Sequence, residues 1–165
     1  MLDSKIEKAL NKQINHEMAA AYNYFAMAAW CEEHNFSGFA SWFKMQRAEE
    51  LTHAGKLYQF VLDRRGSIDL EAVSKPPKKF KDIHEVFDKA FKMEQDNTKS
   101  IYELYRLARE ADDFATQSHL QWFIDEQVEE EKTFDEIKGL LEFAGEDKSA
   151  LLMLNQQLGS RSTAG

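Results

Sequence analysis

The chain has 165 residues, which corresponds to one domain and is long enough to bury a core. Its 29 acidic and 21 basic residues give a net charge of −8, which argues against nucleic acid as a partner and suits cations. With 43% apolar and 30% charged residues, the composition does not fit a disordered chain, and the single cysteine, Cys31, excludes an intramolecular disulfide and a cysteine-rich zinc site. The chain has no apolar run long enough for a membrane span and no apolar signal segment, so we expect a cytoplasmic protein with no membrane partner.

Few helix breakers interrupt the chain, because it contains only two prolines and seven glycines. Capping residues and the spacing of apolar residues predict four long helices and a short fifth. The helices are expected at about residues 4–33, with Ser4 as N-cap, at 37–65, with Ser37 as N-cap and Gly66 as the stop, at 82–110, at 114–143, ended by Gly145, and at 148–158. Residues 1–158 then form one domain, and residues 159–165 form a disordered tail.

The lengths of the connections predict the topology. The first and second helices, and likewise the third and fourth, are joined by short turns, so each pair should lie antiparallel. The connection over residues 67–81 contains Pro76-Pro77 and can reach about 50 Å when extended, whereas a helix of about 28 residues is about 42 Å long. We therefore predict an all-α four-helix bundle with one long crossover and a short C-terminal fifth helix, rather than two loosely tethered hairpins with exposed apolar stripes.

Polar side chains interrupt the apolar stripe of every long helix near its middle. The residues are Glu17 on the first helix, Glu50 and His53 on the second, Glu94 on the third, and Gln127 and Glu130 on the fourth. The first polar residue of each helix follows the helix start by about 12 or 13 positions, so antiparallel packing brings all of them to one level. The pattern predicts a single buried polar layer.

A buried layer of carboxylates needs a cation. An unpaired buried carboxylate costs several kcal/mol, and several of them close together also repel one another. The basic residues lie off the stripes, and carboxylates with one imidazole suit iron, manganese or zinc. Two inward (i, i+3) pairs and two single glutamates match the dinuclear carboxylate sites of helical bundles, except that Gln127-x-x-Glu130 replaces a second Glu-x-x-His.

Two features have more than one interpretation. Tyr24 lies two turns beyond Glu17 on the same stripe, where it is either core packing or a group near the metals that donates a hydrogen bond or an electron. The carboxylate run on the fourth helix is either a solvated face or, together with Glu49, a third and weaker cation site. The residues of that third site would be Glu49, Glu126, Glu129 and Glu130.

At these residues the chain resembles the ferritins, and most closely the bacterial non-haem ferritins. The resemblance runs from about Ser4 to Leu158, and its strongest stretches are Asn15-His16-Glu17, Glu49-Glu50-Leu51-Thr52-His53, Met93-Glu94-Gln95 and residues 121–131. It implies a dinuclear ferroxidase centre. One iron would be held by Glu17, Glu50 and His53, the other by Glu50, Glu94 and Glu130 with Gln127 beside it, and a looser third iron by Glu49, Glu126 and Glu129 with Glu130 shared.

The resemblance also implies iron storage and homeostasis. The chain would oxidise Fe(II) with O2, with H2O2 as a further oxidant, and would keep Fe(III) as an oxide-hydroxide mineral inside a hollow shell of 24 copies. Haem is not expected, because Leu51 stands where bacterioferritins carry a methionine. The alternatives are a rubrerythrin-like di-iron peroxidase or oxidase that stores no iron, and a non-catalytic helical interaction module.

Overall fold

The computed structural model describes residues 2–161 and consists of five helices. They are α1 (Ser4–Glu33), α2 (Ser37–Asp63), α3 (Ile83–Glu110), α4 (Phe114–Ala144) and α5 (Lys148–Gly159). α1 packs on α2 and α3, α3 packs on α4, and α5 packs on α2 and α4. The predicted bundle with a short fifth helix is confirmed. None of the described helices combines the length and the apolar character that a membrane span requires.

Aspartates cap four of the five helices at their N-termini. The Asp3 carboxylate accepts hydrogen bonds from the backbone N–H groups of Lys5 (2.8 Å) and Ile6 (3.4 Å) and is the N-cap of α1. The prediction that Ser4 is the cap is therefore wrong, because Ser4 is the first helical residue. A carboxylate suits this position because it also interacts with the positive end of the helix dipole. The caps of α3, α4 and α5 are Asp82, Asp113 and Asp147.

α2 receives its N-terminal cap from α5. Ser37 makes no capping hydrogen bond and is the first helical residue, so it does not act as the predicted cap. The N–H groups of Gly38 and Phe39 instead donate to Asn155 Oδ1 at 2.9 and 3.0 Å. A Cβ atom on Gly38 would lie 1.7 Å from the Asn155 carbonyl oxygen, so this approach of α5 to α2 requires a glycine.

The C-terminus of α2 comes two residues earlier than predicted. The helix ends at Asp63, and Arg65, one residue before the predicted stop Gly66, takes a left-handed conformation (φ 59°). The N–H of Gly66 then donates to the Val61 carbonyl at 2.9 Å, which closes the last turn. Gly145 ends α4 as predicted, with φ 55°.

The long crossover between α2 and α3 is fastened to α1 by two asparagines. Asn11 donates to the Ser67 carbonyl (2.9 Å) and accepts from the N–H of Asp69 (2.8 Å). One turn later, Asn15 donates to the Asp69 carbonyl (2.8 Å) and accepts from the N–H of Glu71 (2.9 Å). Because these side chains satisfy the backbone of an irregular segment, the crossover follows α1 closely.

Polar side chains divide the apolar core into two clusters. The cluster on the α5 side contains Tyr24, Met27, Phe39, Phe43, Phe87, Phe134 and Leu154 among its members. The other contains Ile6, Leu10, Ile14, Leu57, Ile101, Leu120 and Phe123. Along every long helix, the six residues predicted for the polar layer lie between the positions that enter these two clusters.

The C-terminal residues are described as far as Arg161. We expected a disordered tail over residues 159–165. Gly159 belongs to α5, and Arg161 makes side-chain hydrogen bonds to α2. Residues 162–165 lie outside the described residues, and for them the disordered tail stays a prediction.

Candidate metal centre

All six residues predicted for the dinuclear site are buried in one layer of the bundle. α1 contributes Glu17, α2 contributes Glu50 and His53, α3 contributes Glu94, and α4 contributes Gln127 and Glu130. Glu17 and Glu50 have no solvent exposure. Since every one of them lies in the interior of a long helix, the backbone that carries the site is rigid.

Three of these residues converge closely. Glu17, Glu50 and His53 each present one ligand atom, and these atoms all lie within 4.8 Å of one another. The Nδ1 atom of His53 is 3.6 Å from Glu50 Oε2. Within residues 2–161, no other three histidine, cysteine, aspartate or glutamate side chains meet this condition. Two carboxylates and one imidazole are suitable ligands for a divalent transition metal ion.

The Glu50 carboxylate is the least satisfied group of the layer. Neither of its oxygens has a hydrogen-bond donor among the described residues. Burial, and next the charge of Glu94, raise the pKa of Glu50 well above its ordinary value. Burial, and next the charge of Glu50, raise the pKa of Glu17 well above its ordinary value as well, and the ligand atoms of the two carboxylates lie within 4.8 Å of one another. The pair must therefore hold either a proton or a cation, and the donor set fits iron.

Amide side chains hold Glu17 in place. Gln13 Nε2 donates to Glu17 Oε1 at 2.7 Å, and Asn97 Nδ2 donates to Oε2 at 3.3 Å. Ser100 in turn donates to Gln13 Oε1 at 2.6 Å, which fixes the orientation of that amide. Sequence reasoning missed both amides. Their only signal was spacing, because Gln13 lies one turn before Glu17 and Asn97 one turn after Glu94.

Glu94 is held by a phenol and an amide. Tyr24 donates its hydroxyl proton to Glu94 Oε1, and Gln127 Nε2 donates to Oε2 at 3.2 Å. Burial raises the pKa of Glu94 to about 7. The Gln127 amide nitrogen also lies 3.2 Å from Thr98 Oγ1. In this structure Gln127 thus acts as a hydrogen-bond donor to Glu94.

Tyr24 combines packing and polar contacts. Its ring stacks against Phe43 and Phe134, with centroid distances of 5.9 and 6.1 Å. Burial, and next the charge of Glu94, raise the pKa of Tyr24 well above its ordinary value, so its hydroxyl keeps its proton. The residue therefore has the core contacts of one interpretation and the hydrogen bond to Glu94 of the other.

Glu130 lies at the α2 side of the layer. Gln46 Nε2 donates to Glu130 Oε2 at 2.9 Å, and Gln46 itself is fully buried. Burial, and next the charges of Glu94 and Glu49, raise the pKa of Glu130 to about 8. Gln46 lies one turn before Glu50 on the same stripe, and its role was missed by sequence reasoning.

The residues predicted for a third site lie at the edge of this layer. Glu49 is half-buried and forms an ion pair with Arg161, Glu126 is half-buried, and Glu129 is exposed. With Glu130 they do not form a group of ligand atoms within 4.8 Å in the described structure. Arg161 was missed by sequence reasoning, since neither periodicity nor spacing distinguishes a single arginine after a short helix.

Comparison with known proteins gives one consistent match. Residues 7–144 match the family model described as a ferritin-like domain. The chain belongs to the ferritin family. The bacterial non-heme ferritins of Staphylococcus aureus (strain USA300) and Staphylococcus haemolyticus (strain JCSC1435) are 41% and 40% identical to it over 162 residues, which are 98% of this chain and 98% of each relative. The resemblance stated from the sequence is confirmed.

Solved ferritin structures match the whole bundle. An open pore ferritin from the hyperthermophilic archaeon Archaeoglobus fulgidus superposes with a TM-score of 0.97 at 40% identity, and the match covers 98% of this chain and 100% of that chain. A humanized archaeal ferritin also has a TM-score of 0.97 at 40% identity, with 98% of each chain covered. The ferritin family model ends at residue 144, so α5 and Arg161 lie outside that part of the match.

Proposed function

We propose that this chain is an iron-storing ferroxidase that oxidises Fe(II) with O2 in the middle of the bundle and keeps Fe(III) as an oxide-hydroxide mineral inside a hollow oligomeric shell. The observation that carries the proposal is the Glu50 carboxylate, which is fully buried without a hydrogen-bond donor among the described residues and faces Glu17 and His53. Membership of the ferritin family and the relatives named bacterial non-heme ferritin support it.

We assign the ligands by side-chain chemistry. One Fe(II) would be held by Glu17, Glu50 and His53, and a second by Glu50, Glu94 and Glu130. Glu50 would bridge the two ions, a role that needs both of its oxygens free of other partners. Carboxylate oxygens with one imidazole suit Fe(II) as a substrate that must bind and then leave.

The iron supplies the redox chemistry, since each Fe(II) gives one electron to O2. The chain supplies charge, orientation and proton transfer. Gln13 and Asn97 orient Glu17, while Tyr24 and Gln127 orient Glu94. Burial raises the pKa of Glu94 to about 7, so near neutral pH this side chain carries a proton in part of the metal-free molecules. Binding of a cation releases that proton.

The ligands assigned to the second iron favour storage over a fixed di-iron cofactor. That position has no imidazole, because Gln127 and Glu130 occupy the (i, i+3) pair on α4. Gln127 donates its amide to Glu94, and Glu130 accepts from Gln46. Weaker ligation without nitrogen donors suits transfer of the oxidised ion to a mineral store.

Stopped-flow oxidation of Fe(II) by O2 tests the ferroxidase centre. We expect Glu50→Ala and His53→Ala to slow the rapid phase by about 100-fold or more, since each removes a ligand of the first iron. The control is Glu136→Ala, which removes an exposed carboxylate on α4 and should leave the rate unchanged. Rates equal to wild type in both centre variants would reject the assignment.

The fate of the iron distinguishes storage from the rubrerythrin-like alternative. After aerobic loading and gel filtration, a store should retain hundreds of iron atoms per assembled particle. A retained stoichiometry of about two atoms per chain would reject storage and favour a di-iron peroxidase or oxidase.

A further inference from the structure

Arg161 reaches the candidate metal centre from the segment that follows α5. Its Nη1 donates to Gln46 Oε1, and its Nη2 donates to both carboxylate oxygens of Glu49, at 2.8 and 3.0 Å. The guanidinium carbon lies 5.2 Å from the centroid of the Trp42 ring. These partners follow one face of α2 at intervals of one helical turn, so together they fix the position and the plane of the guanidinium.

The docking of α5 on α2 places Arg161 at this face. Asn155 Oδ1 accepts from the N–H groups of Gly38 and Phe39, at 2.9 and 3.0 Å. A Cβ atom on Gly159 would lie 2.8 Å from the Cα of Gly38, so the backbones of α5 and α2 are in contact two residues before Arg161. The arginine is therefore positioned by the fold and does not move freely on the surface.

Gln46 is a fully buried amide whose two ends have different partners. Its Oε1 accepts from Arg161, and its Nε2 donates to Glu130 Oε2 at 2.9 Å. A guanidinium carries only donors, so it holds the carbonyl end of the amide and leaves the amino end for Glu130. If the amide turned over, its amino group would face the guanidinium and its oxygen would face the carboxylate, and both hydrogen bonds would be lost. Arg161 thus determines which end of Gln46 faces Glu130.

Two other glutamines of the layer are oriented in the same way. Gln13 and Gln127 each donate to a carboxylate of the layer. Ser100 donates to Gln13 Oε1 at 2.6 Å, and Asn97 donates to Gln127 Oε1 at 3.4 Å. Both of these orienting donors are neutral and belong to α3. Arg161 makes the equivalent contact with the third glutamine, but it is charged and comes from outside the four long helices.

This contact concerns the second iron in particular, because Glu130 is one of the three ligands assigned to it. Of the other two, Glu50 has no hydrogen-bond donor among the described residues, and Glu94 accepts from side chains of α1 and α4. The donor to Glu130 is the one whose orientation depends on the segment after α5. Groups that orient a metal ligand in this way typically change metal affinity by about 10- to 100-fold.

We propose that Arg161 is a positioning residue of the metal centre, which acts through the Gln46 amide on Glu130 and so supports binding of the second iron. This inference rests on the proposed function, because that function assigns Glu130 to the second iron. Arg161 contacts neither ion, and its ion pair with Glu49 anchors the guanidinium beside Gln46. The ligands of the second iron are then fully oriented only when the segment after α5 is docked on α2.

Anaerobic titration calorimetry with Zn(II) on the assembled protein tests the proposal without turnover. By the ligand assignment, the first equivalent per chain occupies the position that includes His53, and the second occupies the position that includes Glu130. In Arg161→Met we expect the second equivalent to bind about tenfold more weakly and the first to bind as in wild type. Arg161→Lys should recover most of the second affinity, since an ammonium group also has only donors and holds the carbonyl end of Gln46.

A double-mutant cycle shows whether Arg161 acts through Gln46. Gln46→Met keeps the size of the side chain, removes both ends of the amide and should weaken the second equivalent by about tenfold. Adding Arg161→Met to Gln46→Met should then change the second affinity by less than about twofold, because the two residues belong to one hydrogen-bond network. The matched control is Arg106→Met, which removes a positive charge from an exposed position on α3 and should leave both equivalents unchanged.

A purely structural role for Arg161 predicts a different result, in which Arg161→Met lowers the Tm and weakens both equivalents to the same extent. That result would overturn the inference, as would an unchanged second equivalent in Arg161→Met. So would an effect of Arg161→Met that is equally large in the Gln46→Met background. Failure of wild type to bind two equivalents would instead overturn the proposed function.

Discussion

The carboxylates of the polar layer are held by side chains that cannot neutralise them. Amides hold Glu17 and Glu130, while a phenol and an amide hold Glu94. These donors fix where each carboxylate points and contribute no positive charge. The charge of the layer must therefore be balanced by protons in the metal-free protein and by cations in the loaded protein.

This balance predicts an unusual pH dependence for the metal-free protein. Burial raises the pKa of Glu94 from 4.5 to about 7 and that of Glu130 to about 8, so the folded state binds more protons than the unfolded state between pH 4.5 and 8. The free energy of unfolding should fall as the pH rises through this range, by up to about 1.4 kcal/mol per pH unit for each group. Thermal unfolding by circular dichroism after chelation should give a higher Tm at pH 5 than at pH 8.

Two variants separate the effect of the buried carboxylates from the titration of exposed groups. Glu130→Gln should have a shallower slope than wild type, whereas Glu136→Gln, at an exposed position on α4, should keep the wild-type slope. A Tm that stays flat or increases between pH 5 and pH 8 in the wild type would contradict the protonated layer.

Residue by residue, the sequence predicts the charged members of the layer better than the neutral ones. Glu17, Glu50 and Glu94 stand out because a carboxylate on an apolar stripe is costly unless something balances it. Gln13 and Asn97 carry no such energetic signal, since neutral amides are common on every face of a helix. The residues that orient a ligand thus become visible only when the helices are packed.

At the scale of helices, the contact between α2 and α5 depends on residues that lie far apart in the sequence. Asn155 supplies to α2 the cap that its own N-terminal residue does not provide. The pattern that predicted Ser37 as the cap is local, whereas the observed partner lies 117 residues away from Gly38. Helix positions could be predicted from periodicity, but a cap formed between distant helices depends on tertiary packing.

The glycine at this contact should be intolerant of substitution. In Gly38→Ala the added Cβ would meet the backbone of Asn155 at 1.7 Å, so α5 must move and we expect a loss of about 2 kcal/mol or more. Gly55→Ala, also on α2, meets nothing within 4 Å and should stabilise the helix by about 1 kcal/mol. Chemical denaturation of both variants measures the difference, and equal stabilities would refute the role of the contact.

For the whole molecule, we expect the exposed apolar side chains to be covered in an assembly. Phe143 is 93% exposed and Met153 is 72% exposed, and Phe114 and Leu152 are exposed as well. Large apolar side chains that are exposed on a single chain favour association. The shell of 24 copies is implied by the ferritin resemblance, and for this 19.2 kDa chain it would have a mass of roughly 460 kDa.

Light scattering coupled to size exclusion should detect that assembly. We expect wild type to elute as a large particle and Met153→Glu to yield smaller species, because it places a charge on the apolar face of α5. Gln156→Glu adds the same charge at an exposed polar position of α5 and should assemble normally. A Met153→Glu protein of full particle mass would show that this face of α5 is not an intersubunit surface.

The division of the core into two apolar clusters has a consequence for how the molecule opens. Without a metal ion, the half that contains Phe43 and Phe87 is joined to the half that contains Leu10 and Leu57 by the continuous helices and by the hydrogen bonds of the polar layer, and not by apolar packing. We therefore expect the two halves to be weakly coupled. Amide hydrogen exchange should then show two protection classes along every long helix. Metal binding should merge these classes into one, because ions shared by four helices join two weakly coupled folding units.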